Sequence, residues 1–296
     1  MSKRIAIVAV AEPDVLLREY ASELLPRARV YESHLDMLVK ERLDMVSICS
    51  PDALHACHLI DVIEAGVPGV WCEKPLATMA AELDRIECMA KTSPIPKIQL
   101  NYWRRFVPEV AGLRGSIADR AFGSINCISG YYPDGWFRNG SHLVDLMVFL
   151  AGELEVVSAM PTGFGEDPGL AVLGMGKTGF AWSAMAVPRN RYNIFELDIH
   201  CQHARLRVIR NGRAIEIVLD EGDPDFPNLR ILNSSGERLV YSWRRSFSWA
   251  LENLLDCMDG RVADTASPLG DALRVAKLVI YAREKAVSGT NSLAGG

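Results

Sequence analysis

Two side chains in this 296-residue sequence have the type and the setting for proton transfer, Lys74 and His142. Lys74 stands in Trp71-Cys72-Glu73-Lys74-Pro75-Leu76, between an apolar strand-like run and a proline. A lysine in that setting is desolvated, which lowers its pKa toward the range useful in acid/base work. Glu73 is placed to orient it, and Lys74–Pro75 is a candidate cis peptide that would aim the amine across a cleft. The plainer alternative is a surface turn with a helix-starting proline. His142 follows Gly140 on a helical pattern, with Asp145 at i+3 on the same face. An imidazole whose ordinary pKa is near 6.5 suits proton exchange, although a lone helical histidine is more often packing. Arg138 lies four residues before His142. It cannot accept a proton at neutral pH, but it can clamp a carboxylate or phosphate through two bonds. Asn139 beside it is a second polar candidate.

Other groups are weaker. Glu12, at the end of the first apolar run, would bond ribose hydroxyls and disfavour a 2′-phosphate, or simply stand as a helix N-terminal charge. His55 and His58 share a helical stretch. Arg104-Arg105 and Arg244-Arg245 read as solvated or ligand-facing. Gly174-Met175-Gly176-Lys177-Thr178-Gly179 fits G-x-G-x-x-G, but a strand follows it, so it is a hairpin and not a phosphate loop. His200 and His203 would point to opposite faces of a strand, which excludes a shared metal.

The elements that must position these groups change character along the chain. Up to about residue 101, buried-strand runs alternate with helical patterns: strands at 5–10, 28–31, 45–49, 70–72 and 97–100, helices at 15–25, 35–42, 53–65 and 77–91. Strict alternation predicts a parallel sheet with right-handed crossovers. From about Gly123 strand follows strand, at 124–130, 156–160, 170–173, 180–187, 194–201, 205–210 and 214–219, so this part reads as mostly antiparallel. Helices are expected at 141–151, 247–258 and 271–287. The fold class is α/β plus α+β, with residues 1–105 as a truncated Rossmann-like domain and 106–296 as a substrate-binding and oligomerisation domain.

Taken together the motifs resemble the Gfo/Idh/MocA family of oxidoreductases. Glu12-Pro13-Asp14, Ser50-Pro51-Asp52-Ala53-Leu54-His55, Glu64-Ala65-Gly66, Cys72 to Ala77, Asn101 to Pro108 and Gly140 to Asp145 appear in the family's order. The resemblance implies a nicotinamide-dependent dehydrogenase of sugars, cyclitols or nucleotide-sugar-like polyols. It implies catalytic roles for Lys74 and His142. It implies cofactor contacts from Glu12, Ser50, Pro51, His55, Glu73 and Lys74, and substrate contacts from Arg104, Arg138, Asn139 and Asp145. It also implies a homodimer or homotetramer, with Phe180, Trp182, Phe195 and Leu197 as faces needing cover.

One departure qualifies this. The first glycine is Gly66, so the glycine-rich loop that lets backbone approach a pyrophosphate is missing. A strand–helix unit is absent at the front. The remaining strands are expected to close up into the order 2-1-3-4-5, with residues 5–10 central. NAD or NADP binding is therefore expected to be impaired or abbreviated. Two alternatives stay open: a descendant doing non-redox acid/base chemistry (elimination, isomerisation or cyclisation), and a noncatalytic partner subunit.

Composition excludes other classes. The net charge of −5 gives no field for nucleic acid or anionic lipid. No apolar stretch is long enough to span a bilayer, and the N-terminus reads as a core strand, not a signal peptide. Seven cysteines without a C-x-x-C point to reduced thiols, a cytoplasmic setting and no metal cluster.

Overall fold

The computed structural model describes residues 4–92, 95–163, 165–189 and 192–293. The first part comprises β1 (Ala9–Ala11), α1 (Val15–Leu24), β2 (Arg29–Tyr31), α2 (His34–Lys40), β3 (Met45–Ile48), α3 (His55–Glu64), β4 (Gly69–Cys72), α4 (Ala80–Thr92) and β5 (Lys97–Leu100). All pairings within it are parallel. Asp14 caps α1 as its position suggests, accepting from the backbone N–H groups of Leu16 and Leu17 at 2.9 and 3.0 Å.

The expected order 2-1-3-4-5 does not form. β1 pairs only with β2, and β3-β4-β5 make a separate sheet. Residues 5–10 are not a central strand: β1 has no buried residue, and Ile7 and Val8 are exposed. Polar ties hold this front unit in place. His34 Nε2 meets Asp61 at 2.8 Å, and the His34 and His58 rings stack at 4.1 Å. Arg4 donates to Glu252, Asp256 and Asp259 at 2.6, 2.9 and 2.8 Å.

The rest is α5 (Pro108–Ala118), β6 (Ile125–Pro133), α6 (Ser141–Ala151), β7 (Leu154–Pro161), β8 (Leu170–Gly176), β9 (Ala181–Val187), β10 (Glu196–Cys201), β11 (Ala204–Ile209), β12 (Ala214–Gly222), β13 (Arg230–Leu232), β14 (Glu237–Val240), α7 (Ser246–Met258) and α8 (Leu269–Leu293). The sheet runs β13-β12-β11-β10-β6-β9-β8-β7, with β14 also on β12. Its one parallel pairing is β6 with β9; the other pairings are antiparallel. Residues 176–179 form the β8–β9 hairpin, as read from the strand that follows them.

The C-terminal helices return to the first part. Gly69 opens β4 because α7 lies against it: a Cβ there would come within 2.4 Å of Met258 Sδ. Helix α6 is buried on every side except at His142 and Ala151. It beds on β6 at Gly130, where a Cβ would sit 2.8 Å from Leu143 and Met147. That close approach fixes where His142 stands.

Phe180, Trp182, Phe195 and Leu197 are buried inside, packed in the core, and need no external cover. The outward face instead shows Tyr131, Met185, Leu173, Met175, Val157 and Met160. Among the described residues no helix is long and apolar enough to cross a membrane, and no group of His, Cys, Asp and Glu is set to hold a metal. Among the described residues no disulfide joins the cysteines.

Candidate active site

The turn after β4 is locked at both flanks. Glu73 N–H donates to the Ile48 carbonyl and Asn101 N–H to the Cys72 carbonyl, each at 2.9 Å. Leu76 and Ala77 bury the far end. The Lys74–Pro75 peptide is cis. Asn101 Nδ2 donates to Glu73 Oε1 at 2.5 Å, so Glu73 is held by the crossover strand. Lys74 Nζ leaves the turn and donates to the Arg138 carbonyl at 2.8 Å. That bond joins the first part of the molecule to the loop before α6.

Arg138 belongs to the wide turn Trp136–Gly140 that precedes α6. Trp136 anchors the turn, donating from Nε1 to the Val279 carbonyl at 2.8 Å. Asp167 braces it from the β7–β8 loop, accepting from Phe137 N–H at 2.8 Å and Arg138 N–H at 3.1 Å. His142 follows in the first turn of α6, edge-on to Tyr102 with ring centroids 5.8 Å apart.

The electrostatics tie these groups together. Burial pulls the Lys74 amine below its ordinary 10.5, with Asp52 and Glu73 opposing. His142 keeps some solvent-exposed surface although protein surrounds it. Burial first, then the charges of Lys74 and Arg104, push it well below 6.5. Arg104 is itself buried, its guanidinium 4.2 Å from the Trp103 ring centroid and 3.5 Å from that of Phe195. Burial pushes it down to about 9, and the two rings offset part of that cost. Arg104 Nε has no hydrogen-bond partner among the described residues, which leaves one donor free. Lys74, His142 and Arg104 thus form one electrostatic group.

Several expected site residues are spent elsewhere. Asp145 shares a buried ion pair with Arg105, at 2.8 Å from its Nη2, and Arg105 also reaches Asp271. Burial raises Asp145 to about 6 despite the Arg105 charge. Both of its oxygens accept from Arg105 Nε, at 2.9 and 3.2 Å, so it braces α6. Asn139 turns its amide onto the Asp134 carbonyl within its own loop. His55 is buried, with Nδ1 2.7 Å from the Pro75 carbonyl and Nε2 2.7 Å from the Ser50 carbonyl. It ties the Ser50 loop to the signature turn and has no nitrogen left for a cofactor. Ser50 Oγ meets His58 Nδ1 at 3.0 Å, and Pro51 is exposed. The Arg138 side chain is exposed, and its backbone does the observed bonding.

Asp167 and Asn101 escaped the sequence reading as site residues. Asn101 stood inside a quoted motif, so its signal was available. Asp167 carries none, because a loop between two strands reaches the turn only in three dimensions.

A dinucleotide pyrophosphate does not fit the start of α1. The free N–H groups there are already capped by the Asp14 carboxylate. Glu12 adds a second carboxylate, bonded to Asp14 N–H at 2.9 Å. Two anions occupy the place where a helix N-terminus would receive a third.

Residues 2–95 match the GFO_IDH_MocA model, an oxidoreductase family with an NAD-binding Rossmann fold. An inositol 2-dehydrogenase of Leifsonia xyli is 31% identical over 157 residues, 49% of this chain and 46% of that protein. The rhizopine catabolism protein MocA of Rhizobium meliloti is 28% identical over 195 residues, 63% of this chain and 58% of that one. The matched stretch thus spans about half the length of these curated relatives. A levoglucosan dehydrogenase solved with NADH and levoglucosan superposes with a TM-score of 0.79 at 17% identity, covering 95% of this chain and 88% of the other. That likeness is one of fold.

Proposed function

We propose that this chain, which belongs to the Gfo/Idh/MocA family, acts on a polyhydroxylated small molecule of the sugar or cyclitol class, with Lys74 and His142 as one proton-transfer pair. The observation that carries this reading is the mutual siting of the two groups. The Lys74 amine is bonded to the loop before α6, and its charge depresses the histidine on α6. The inositol 2-dehydrogenase relatives support the substrate class.

The chemistry follows from the donors. Lys74 commits one N–H to the Arg138 carbonyl, so its remaining bonding positions point to a substrate hydroxyl or carbonyl oxygen. Burial lowers its pKa, the direction that favours giving up a proton to a substrate oxygen. His142, neutral at pH 7, offers one ring nitrogen as acceptor and the other as donor. Arg104, enclosed by Trp103 and Phe195, contributes its charge beside His142. Glu73 and Asp167 position Lys74 and its acceptor carbonyl.

The family likeness favours an oxidoreductase, and we infer that its NAD(P) binding is weakened. The carboxylate-capped α1 terminus specifically favours a second reading, non-redox acid/base chemistry in the same cleft. Losing several charge-assisted bonds at about 1.5–3 kcal/mol each lowers affinity by a thousandfold or more. Calorimetry against NADH and NADPH separates the readings. The expected affinity is about millimolar or absent, and micromolar binding would overturn the weak-binding reading. Turnover of inositol or a sugar that falls about 10²–10⁴-fold in Lys74→Ala would support the proton-transfer role. Undiminished turnover would remove it.

In this reading residues 1–105 form the Rossmann-like domain and residues 106–296 the substrate-binding and oligomerisation domain. The outward apolar face over β6, β9, β8 and β7 favours pairing with a second copy, since a patch of that kind is disfavoured in water. Light scattering that shows a monomer at micromolar concentration would count against it.

A further inference from the structure

A second cleft lies at the opposite end of α6 from His142. It has a volume of about 560 Å³ and is lined by the C-terminal part of α5, the turn after it, Val148–Gly152 and the start of α8. That size falls within the roughly 300–1,000 Å³ of small-ligand sites. The separation from His142 along α6 is roughly 12 Å at about 1.5 Å per residue, so this is not the Lys74 site.

Its charges are unbalanced. Arg114, Arg120 and Arg274 line it, against Asp271 and Glu153. Both carboxylates are already engaged: Asp271 accepts from Arg105 and Arg274, and Glu153 accepts from Lys177 at 2.7 Å. Among the described residues Arg114 and Arg120 have no ion-pair partner. Arg114 lies 4.7 Å over the Phe149 ring. Arg120 takes a left-handed backbone, φ 55°, an uncommon setting for a residue with a side chain. Ile117, Phe149 and Ile125 give the cleft an apolar lining.

We propose that this cleft binds a small organic oxyanion, a carboxylate or phosphate carried on an apolar body, through Arg114 and Arg120. Guanidinium forks match both anions through paired N–H bonds. The apolar lining accommodates the rest of such a ligand. The inference does not rest on the activity proposed for the Lys74 cleft.

The test is calorimetry of the full chain with citrate and, separately, inorganic phosphate, at constant ionic strength set with chloride. Saturable binding of at least one is expected, and the tighter of the two identifies the anion. The Arg114→Gln/Arg120→Gln double variant is expected to weaken it by about tenfold or more. Lys74→Gln should leave it unchanged. If the double variant is unfolded by circular dichroism, Arg114→Lys/Arg120→Lys replaces it; that variant keeps the charge but loses the fork, and a several-fold weakening is expected. Absence of saturable binding, equal binding by the folded variant, or loss of binding in Lys74→Gln would each overturn the assignment.

Discussion

Helices α1 and α3 are both ten residues long and similarly amphipathic, yet α3 buries six side chains and α1 buries none. Leu59 on α3 is 0% exposed, while Leu16 on α1 is 70% exposed. Each helix follows a short strand with the same alternating grammar. The difference lies in what stands next to them. α3 packs against strands β3 and β4 and helix α4, in a sheet of three strands; α1 belongs to a pair whose outer edge is unpartnered. A periodic apolar stripe states which face wants cover, and only a neighbouring element supplies the cover.

The largest loss is expected outside both helices, at the buried ion pair on α6. Asp145→Ala strands Arg105 in a buried position and should cost about 3–5 kcal/mol, read by denaturant unfolding. Leu59→Ala in α3 should cost about 2–5 kcal/mol by the same measurement. Leu17→Ala in α1 should change stability by no more than about 0.5 kcal/mol, because that side chain is already exposed. Equal costs in the two helices would mean that α1 is covered in solution. Native-state hydrogen exchange sharpens the contrast, with α1 amides opening at far lower free energy than those of α3.

The smallest effect is on pH dependence. The folded pKa of His142 lies below its ordinary 6.5, so the unfolded chain takes the proton first as pH falls. The stability contribution is complete above 6.5 and is lost as pH falls through the folded value. His142→Gln should flatten that part of the unfolding profile, and an unchanged profile would remove the assignment.

The contrast also marks how far the sequence can be read. β5 and α6 match the expected boundaries because each is bounded by clear signals, Asn101 after one and Gly140 and Gly152 around the other. Helix α5 was missed because Gly112 and Gly115 dilute its periodicity. Residues 5–10 have the apolar run of a central strand, but such a run cannot say whether a neighbour exists on each side. At the candidate site, Lys74 and His142 were picked out because motifs surround them. Asp145 and His55 lie buried and bonded to protein, and the same motifs do not distinguish a group facing a cleft from one buried beneath it. Asp167 left no local trace at all.

The central claim is that Lys74 and His142 share one electrostatic site. NMR titration of the His142 ring in the wild-type chain and in Lys74→Gln tests it most directly. Because the lysine charge lowers the histidine, removing it must raise the His142 pKa toward 6.5. A pKa left where it was in the wild type would contradict the account.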